Sequence, residues 1–419
     1  MKVYAGYTLN RDIEQSASGG VASTLTKCIT KDGGVVYAVK HSDDYKSAYY
    51  EKVDDETNNL VKGSKYFQKR NVVLCNGKEY SVYDKVYESL KKGREVLFIG
   101  VGCDIFALNA FLDKWDCSES LYTIELICDG VVPSKIHEEY IDYLERKFLS
   151  KVVDLNVRDK RYGWGNSCLH VRFDNQQEFN ALFSNTQYGR AFRDYKCKRC
   201  YSCKYKGTKN HVGDLIIGDY WGCIPGMNTY NPKGVSLIIE NSKKGEMLIS
   251  KLKKNDFYME VIDYKYAIYN QPRFMTPHPL NEKLWIRIED GLRKSKMFET
   301  LIGVDKENCP HRFLNKKYEK LVVWGTGKCF VQNIQIVECY KKVAYCIDNN
   351  SSKWNTKVYG NLVCEKPDVL KNEEGVFVLI MVQNSDLLAQ VVNQLLEMKF
   401  TEFDFFDNWL KYRDLNFID

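Results

Sequence analysis

The chain has 419 residues, 44% hydrophobic and 28% charged, which is enough to bury the cores of two or three domains and too apolar for a disordered polymer. Its 61 basic and 55 acidic residues leave a net charge of +6, but the two signs are interleaved and no long basic block stands alone, which argues against nucleic-acid binding. The opening MKVYAGYTLNRDIEQ lacks a signal peptide's apolar core, and no run of about 18 apolar residues occurs, so a cytoplasmic protein without a membrane span is expected.

Residues 18–33, SGGVASTLTKCITKDG, read as a helix capped by Ser16 or Ser18 and ended by Gly33 and Gly34. A strand follows at 35–40, then a helix at 80–93, a strand at 95–100, a helix at 104–115, a strand at 121–128 and a helix at 134–148. This alternation predicts an α/β unit with a mostly parallel sheet. The middle is α+β in character, with strands at 153–159, 168–173 and 214–222, then helical and irregular sequence from 241 to 300. A boundary is expected near Cys309-Pro310. From 318 the α/β pattern restarts, with strands at 320–325, 342–348 and 375–382 and a helix at 384–399. Two domains are therefore expected, 1–310 and a small Rossmann-like 318–419.

In a cytoplasmic chain, 15 cysteines point to metal or redox chemistry rather than to a disulfide framework. Cys197, Cys200 and Cys203 have a spacing found in iron–sulfur proteins. Zinc is the rival, but structural zinc wants a second Cys or His pair close by, and His211 is poorly spaced for it. Cys103 and Cys128 directly follow predicted strands. The carboxyl ends of parallel strands share one rim, so these two thiols can meet each other and the 197–203 loop. Buried free thiols are the plain alternative.

Three glycine turns are candidate anion sites: Ser18-Gly19-Gly20 opening a helix, Gly100-Val101-Gly102 and Gly325-Thr326-Gly327. In the last, Phe330 replaces the third glycine of a dinucleotide fingerprint, while Asp348 falls where a ribose-binding acid sits. A nucleotide site and a degenerate scaffold both fit that pattern.

Seven segments occur in order: SASGGVAST from 16, GSKYFQ from 63, FIGVGCDIFALNAFL from 98, LICDGVVPSKIHEEYIDYLE from 126, VRDKRYGW from 157, CYSCKYKG from 200 and DLIIGDYWG from 214. As a series they resemble the beta-subunit family of coenzyme F420 hydrogenase/dehydrogenase over roughly residues 5–300, and most of all its bacterial branch in polysaccharide-synthesis gene clusters. The resemblance implies a flavin-binding α/β domain with an inserted iron–sulfur loop, holding FAD and a 4Fe-4S cluster. It implies Cys103, Cys128, Cys200 and Cys203 as cluster ligands, with Cys197 one step outside the usual pair. Ser18, Gly19, Gly20, Ser64, Lys65, Gln68, Gly100 and Gly102 would face the flavin. Asp219, Lys65 and Asp129 would serve the chemistry, although Asp129 stands where relatives have histidine. GVGC at 100–103 likewise replaces the family's Gly-Thr-Pro-Cys.

The implied activity is an FAD- and 4Fe-4S-dependent oxidoreductase in cell-surface polysaccharide biosynthesis, reducing a nucleotide sugar or another small-molecule or glycan intermediate. Many relatives begin with a ferredoxin-like domain and this chain opens on the flavin domain. A separate electron donor is therefore expected, either a ferredoxin-like protein or a reduced coenzyme. Two alternatives stay open: an electron-transfer subunit using ferredoxin or a deazaflavin coenzyme, and a non-catalytic binding protein with a structural metal. A homo-oligomer is compatible with all three.

Overall fold

The computed structural model describes residues 2–54, 65–115, 117–161, 163–165, 167–183, 186–293 and 318–406. Ser64 and the expected boundary at Cys309-Pro310 lie outside these. The chain divides into two compact units, Met1–Phe179 with Ala191–Ile286, and Asn180–Arg190 with Arg287–Asp419.

The first unit carries β1 (Val3–Thr8), α1 (Val21–Lys31), β2 (Val35–His41), β3 (Ala48–Val53), β4 (Val72–Cys75), β5 (Lys78–Ser81), α2 (Val82–Lys91), β6 (Val96–Val101), α3 (Gly102–Leu112), β7 (Leu121–Leu126) and α4 (Ser134–Phe148). It continues with the antiparallel pair β8 (Val152–Asp159) and β9 (Cys168–Phe173). After β10 (Glu178–Leu182) and α5 (Gln187–Asp194), which cross the division between the units, come β11 (Leu215–Asp219), β12 (Ser236–Glu240), α6 (Lys243–Lys253), β13 (Phe257–Val261), α7 (Tyr264–Tyr269) and α8 (Pro272–Met275), and then α9 (Glu282–Arg293), which crosses it again.

Ten strands form one sheet in the order β13-β1-β12-β11-β7-β6-β2-β3-β4-β5. The class is α/β, but the sheet is mixed where a mostly parallel one was expected. β12 runs antiparallel to both β1 and β11, while β11, β7, β6 and β2 run parallel. Two reversals restore direction, so β1, β11, β7, β6 and β2 all end at the same rim.

Alternation of side chains across the strands builds a core on each face. On one face Val36, Leu97, Ile99, Ile124, Leu215 and Ile217 pack against Leu25 and Ile29 of α1 and Leu248 and Leu252 of α6. On the other, Val35, Tyr37, Val96 and Phe98 pack against Val86 and Leu90 of α2 and Ile105 and Leu108 of α3. Each such fully buried aliphatic side chain contributes about 2 kcal/mol by its removal from water.

Neither expected serine caps α1. Its N-cap is Gly20 in the left-handed region at φ 85°, where a side chain would be strained. Ser16 Oγ instead donates to the Asp12 carbonyl, and Ser18 Oγ to the Val235 carbonyl. α3 begins at Gly102, two residues before the expected start, which puts Cys103 in the first turn of the helix.

The second unit contains β14 (Lys320–Trp324), α10 (Lys328–Tyr340), β15 (Val343–Ile347), β16 (Thr356–Tyr359), β17 (Leu362–Glu365), β18 (Val376–Ile380), α11 (Ser385–Glu397) and β19 (Phe403–Phe405). Its strand order is β16-β17-β15-β14-β18-β19, parallel except for β16. Among the described residues no helix is long and apolar enough to cross a membrane.

Candidate functional site

The shared rim of the first sheet gathers most of the residues singled out from sequence. Ser18, Gly19 and Gly20 stand beyond β1, Asp219 ends β11, Cys128 and Asp129 follow β7, and Gly102 and Cys103 follow β6. From the end of β1 to the end of β6 is four strand spacings, roughly 19 Å. One phosphate cannot touch both Gly20 and Gly102; only a ligand stretched along the rim can.

The cysteines are brought together by backbone pairing. Cys197 N–H donates to the Val131 carbonyl at 2.8 Å, and Cys200 N–H to the Cys197 carbonyl at 2.8 Å. Gly130, at φ 106°, is pressed so closely that an added Cβ would lie 2.8 Å from Lys196 Cδ and 3.1 Å from Cys200 Cβ. Burial and the neighbouring Asp104 push the Cys103 thiol up to about 12, although one side of it faces solvent. Burial likewise raises Cys128 to about 11, partly offset by the Lys206 ammonium and a Gly130 N–H 3.2 Å from its sulfur. Neighbouring thiols add to the rise: Cys128 and Cys203 at Cys103, Cys200 and Cys203 at Cys128, and Cys200 at Cys197.

Among the described residues no three or more His, Cys, Asp or Glu side chains are grouped so as to hold a metal ion. The donors are of the kind an iron–sulfur cluster takes: thiols beside one rim, a Gly130 N–H aimed at the Cys128 sulfur, and Lys69 and Lys206 ammonium groups that partly offset the burial favouring the neutral thiol. Cys197 differs from the others, since its sulfur stands 3.8 Å from Gln68 Oε1.

Asp129 is the junction of three segments. Its Oδ2 accepts from Lys196 Nζ at 2.8 Å, and its Oδ1 lies 3.2 Å from Arg273 Nε and 3.1 Å from His278 Nδ1. The pairs tie the end of β7 to the cysteine loop and to the 272–278 segment. Lys206 Nζ adds a second tie, to the carbonyls of Cys128 and Arg273. Beside them, residues 65–68 run along 131–132: Gln68 N–H donates to the Val132 carbonyl at 2.8 Å, and Phe67 and Val132 form a parallel bridge. Burial lowers the Lys65 ammonium to about 7.

Asp219 lies at the centre of a second group. Its carboxylate accepts from Arg158 Nη2 at 2.9 Å and from Trp164 Nε1 at 3.1 Å. The Arg158 guanidinium lies 5.1 Å from the Trp221 ring, which stacks on Trp164 at 5.6 Å. Lys160 Nζ donates to the carbonyls of Ile13 and Ser18, closing the loop before α1, and burial lowers it to about 8.

The protein itself fills the space beside the site glycines. A Cβ on Gly19 would stand 2.4 Å from the Gly6 carbonyl oxygen, and one on Gly102 would stand 2.8 Å from both Glu125 Oε1 and Tyr205 Cβ. Gly100 is similarly crowded by Tyr50 and Phe98. Glycine is required at these positions by chain packing alone. Glu125 is itself buried, taking His211 Nδ1 at 2.6 Å and the N–H groups of Val212 and Gly213 at 2.9 Å each.

In the second unit, the loop after β14 is closed by Asp348. Its Oδ2 accepts from Thr326 N at 2.8 Å, Thr326 Oγ1 at 2.6 Å and Lys353 Nζ at 3.1 Å, and its Oδ1 from Asn350 N at 2.9 Å.

Sequence reasoning gave no role to Lys196, Arg273, His278 or Glu125, quoted Arg158, Lys160 and Trp164 only within VRDKRYGW, and weighed His211 only as a zinc partner. Nothing local marks their contacts, because their partners are distant in the chain. The acid-free run from Lys196 to Lys209 was the one available signal.

Residues 93–265, which hold every candidate cysteine ligand, match the family described as the C terminus of the beta subunit of coenzyme F420 hydrogenase/dehydrogenase. The similarity to that family is carried by this segment. The matched segment starts just before β6 and ends in α7, so Arg287–Asp419 lies outside it. Among solved structures, a chain from the F420-reducing NiFe hydrogenase complex of Methanosarcina barkeri, in a xenon derivative, is also similar. It is 16% identical, with 73% of this chain and 91% of that chain covered, at a TM-score of 0.44. No curated protein matches this chain.

Proposed function

We propose that the protein is an iron–sulfur flavoprotein, a reductase that uses FAD and a 4Fe-4S cluster on a nucleotide sugar or glycan intermediate of cell-surface polysaccharide biosynthesis. What supports this reading is that Cys103 and Cys128 follow adjacent strands at one rim and that Gly130, two residues past Cys128, packs on Cys200, all inside the segment that matches the family. The polysaccharide branch rests on sequence resemblance alone. When bound, the cluster would supply one-electron transfer and FAD would combine two electrons for the substrate.

The chain's own residues would do the rest. Cys103, Cys128, Cys200 and Cys203 would hold the cluster, with Lys206 and the Gly130 N–H stabilising the sulfur charge. The first turn of α1 and the 65–68 segment would border the flavin. Asp219 would orient what stacks against Trp221. Asp129, committed to Lys196, Arg273 and His278, acts in this reading as an anchor of the site.

The test is anaerobic purification followed by a visible spectrum and counts of iron, sulfide and flavin. The reading expects flavin bands over a broad absorption that dithionite bleaches, and about four irons per chain. Replacing Cys103, Cys128, Cys200 or Cys203 singly by alanine removes the iron, while Cys197→Ala keeps it. A colourless protein with zinc overturns the reading in favour of a structural metal.

A further inference from the structure

The loop that carries Cys197, Cys200 and Cys203 is charged in one sense only. From Lys196 to Lys209 it holds six cationic residues, Lys196, Lys198, Arg199, Lys204, Lys206 and Lys209, and no carboxylate. Two turn inward: the Lys196 side chain has 0% exposure and Lys206 reaches two backbone carbonyls. The other four are exposed, and among the described residues none has a carboxylate partner. Lys198 lies over the Trp285 ring at 5.4 Å.

The acids next to this loop are already matched. Asp104 pairs with Lys69 at 2.8 Å, and Asp129 pairs with Lys196 and Arg273. The excess positive charge is therefore uncompensated. An apolar spot adjoins it: Phe106, one turn along α3 from the exposed Cys103, is 50% exposed and meets the Tyr205 ring at 5.4 Å.

An exposed aromatic ring packed on Tyr205 of this loop, four exposed cations on the same loop without carboxylate partners and a solvent-facing thiol one turn away describe a protein contact surface more than a substrate pocket. We propose that Lys198, Arg199, Lys204, Lys209 and Phe106 form the docking surface for a small acidic one-electron carrier protein. This rests on the redox reading above. Each encounter oxidises the carrier by one electron and reduces this chain by one. Two encounters supply the pair that a two-electron reduction consumes, with protons from solvent. Long-range attraction between opposite charges speeds such encounters and weakens with salt. The chain's other charges are interleaved, so the attraction is local to this face.

The experiment uses the full-length protein and a small acidic 2Fe–2S ferredoxin as probe. Binding is compared at low and physiological salt for the natural protein, for K198E/R199E and K204E/K209E, and for F106A. The natural protein should bind at least about tenfold more weakly at the higher salt, and each charge-reversed variant at least about tenfold more weakly than the natural protein at low salt. Reduction by dithionite and the denaturation midpoint should stay as they were. No binding at low salt overturns the proposal, as does binding unaffected by the substitutions. A double-stranded oligonucleotide that binds through the same residues while the ferredoxin does not also overturns it. A colourless protein overturns the redox reading, and electron delivery with it. A coloured one whose carrier binding ignores the four charges overturns this inference alone.

Discussion

The Lys196 ammonium, with none of its side chain exposed, stands 2.8 Å from the Asp129 carboxylate, one residue past a candidate cluster ligand. Burial lowers this lysine from its ordinary value, and Asp129 opposes that shift. Breaking a buried pair by removing one member leaves an uncompensated charge. Asp129→Asn should therefore cost about 3 kcal/mol, at the low end of the range because Asp129 is part-exposed. Lys196→Met removes the charge instead and should cost less, and the double variant should recover part of the loss. Urea midpoints of the three variants measure this directly.

Lys65 near 7 and Lys160 near 8 make stability depend on pH. Both folded values lie below the unfolded value of about 10.4, so above neutrality the unfolded chain binds protons that the folded chain does not. Stability should rise from about pH 7 to about pH 8.5, above which the raised thiol of buried Cys346 works the other way. Lys160→Met should flatten part of the rise. Denaturant midpoints across that window measure the slope.

Gly102 opens α3 under tight packing, with Glu125 and Tyr205 both 2.8 Å from where a Cβ would stand. Gly102→Ala should move the first turn of α3 away from the 205–213 segment and carry Cys103 with it. We expect a stability loss of about 1–3 kcal/mol and fewer irons per purified chain. Iron and sulfide counts beside a melting curve separate these two effects.

Asp348→Ala in the second unit removes the acceptor of three donors around Thr326 and Lys353. The loss should be about 2–3 kcal/mol. Amide exchange should quicken in 325–328 and 348–353 while the β6 and β7 amides keep their protection.

Elements that are buried and contiguous were legible in the sequence. EVLFIG and α4, Ser134–Phe148, read correctly because apolar runs and helical periodicity are local properties. β1 was not legible. Val3, Tyr4, Ala5 and Gly6 are buried on both faces between β12 and β13, so no alternation marks them as a strand. Without β1 and β13 the antiparallel half of the sheet stays hidden. The cysteine placement at strand ends was legible from topology, but the Asp129 junction was not. Its partners Lys196 and His278 lie 67 and 149 residues away, beyond the reach of any local pattern.

The closed loop of the second unit has a consequence for ligands. A ribose would approach Asp348 with two hydroxyls, and the carboxylate already holds an amide, a hydroxyl and an ammonium from its own chain. That position contains a tethered occupant. Groups fixed a few residues away act at an effective concentration that a free diol in solution must outcompete. A nucleotide would gain affinity there only by bonds beyond those it displaces.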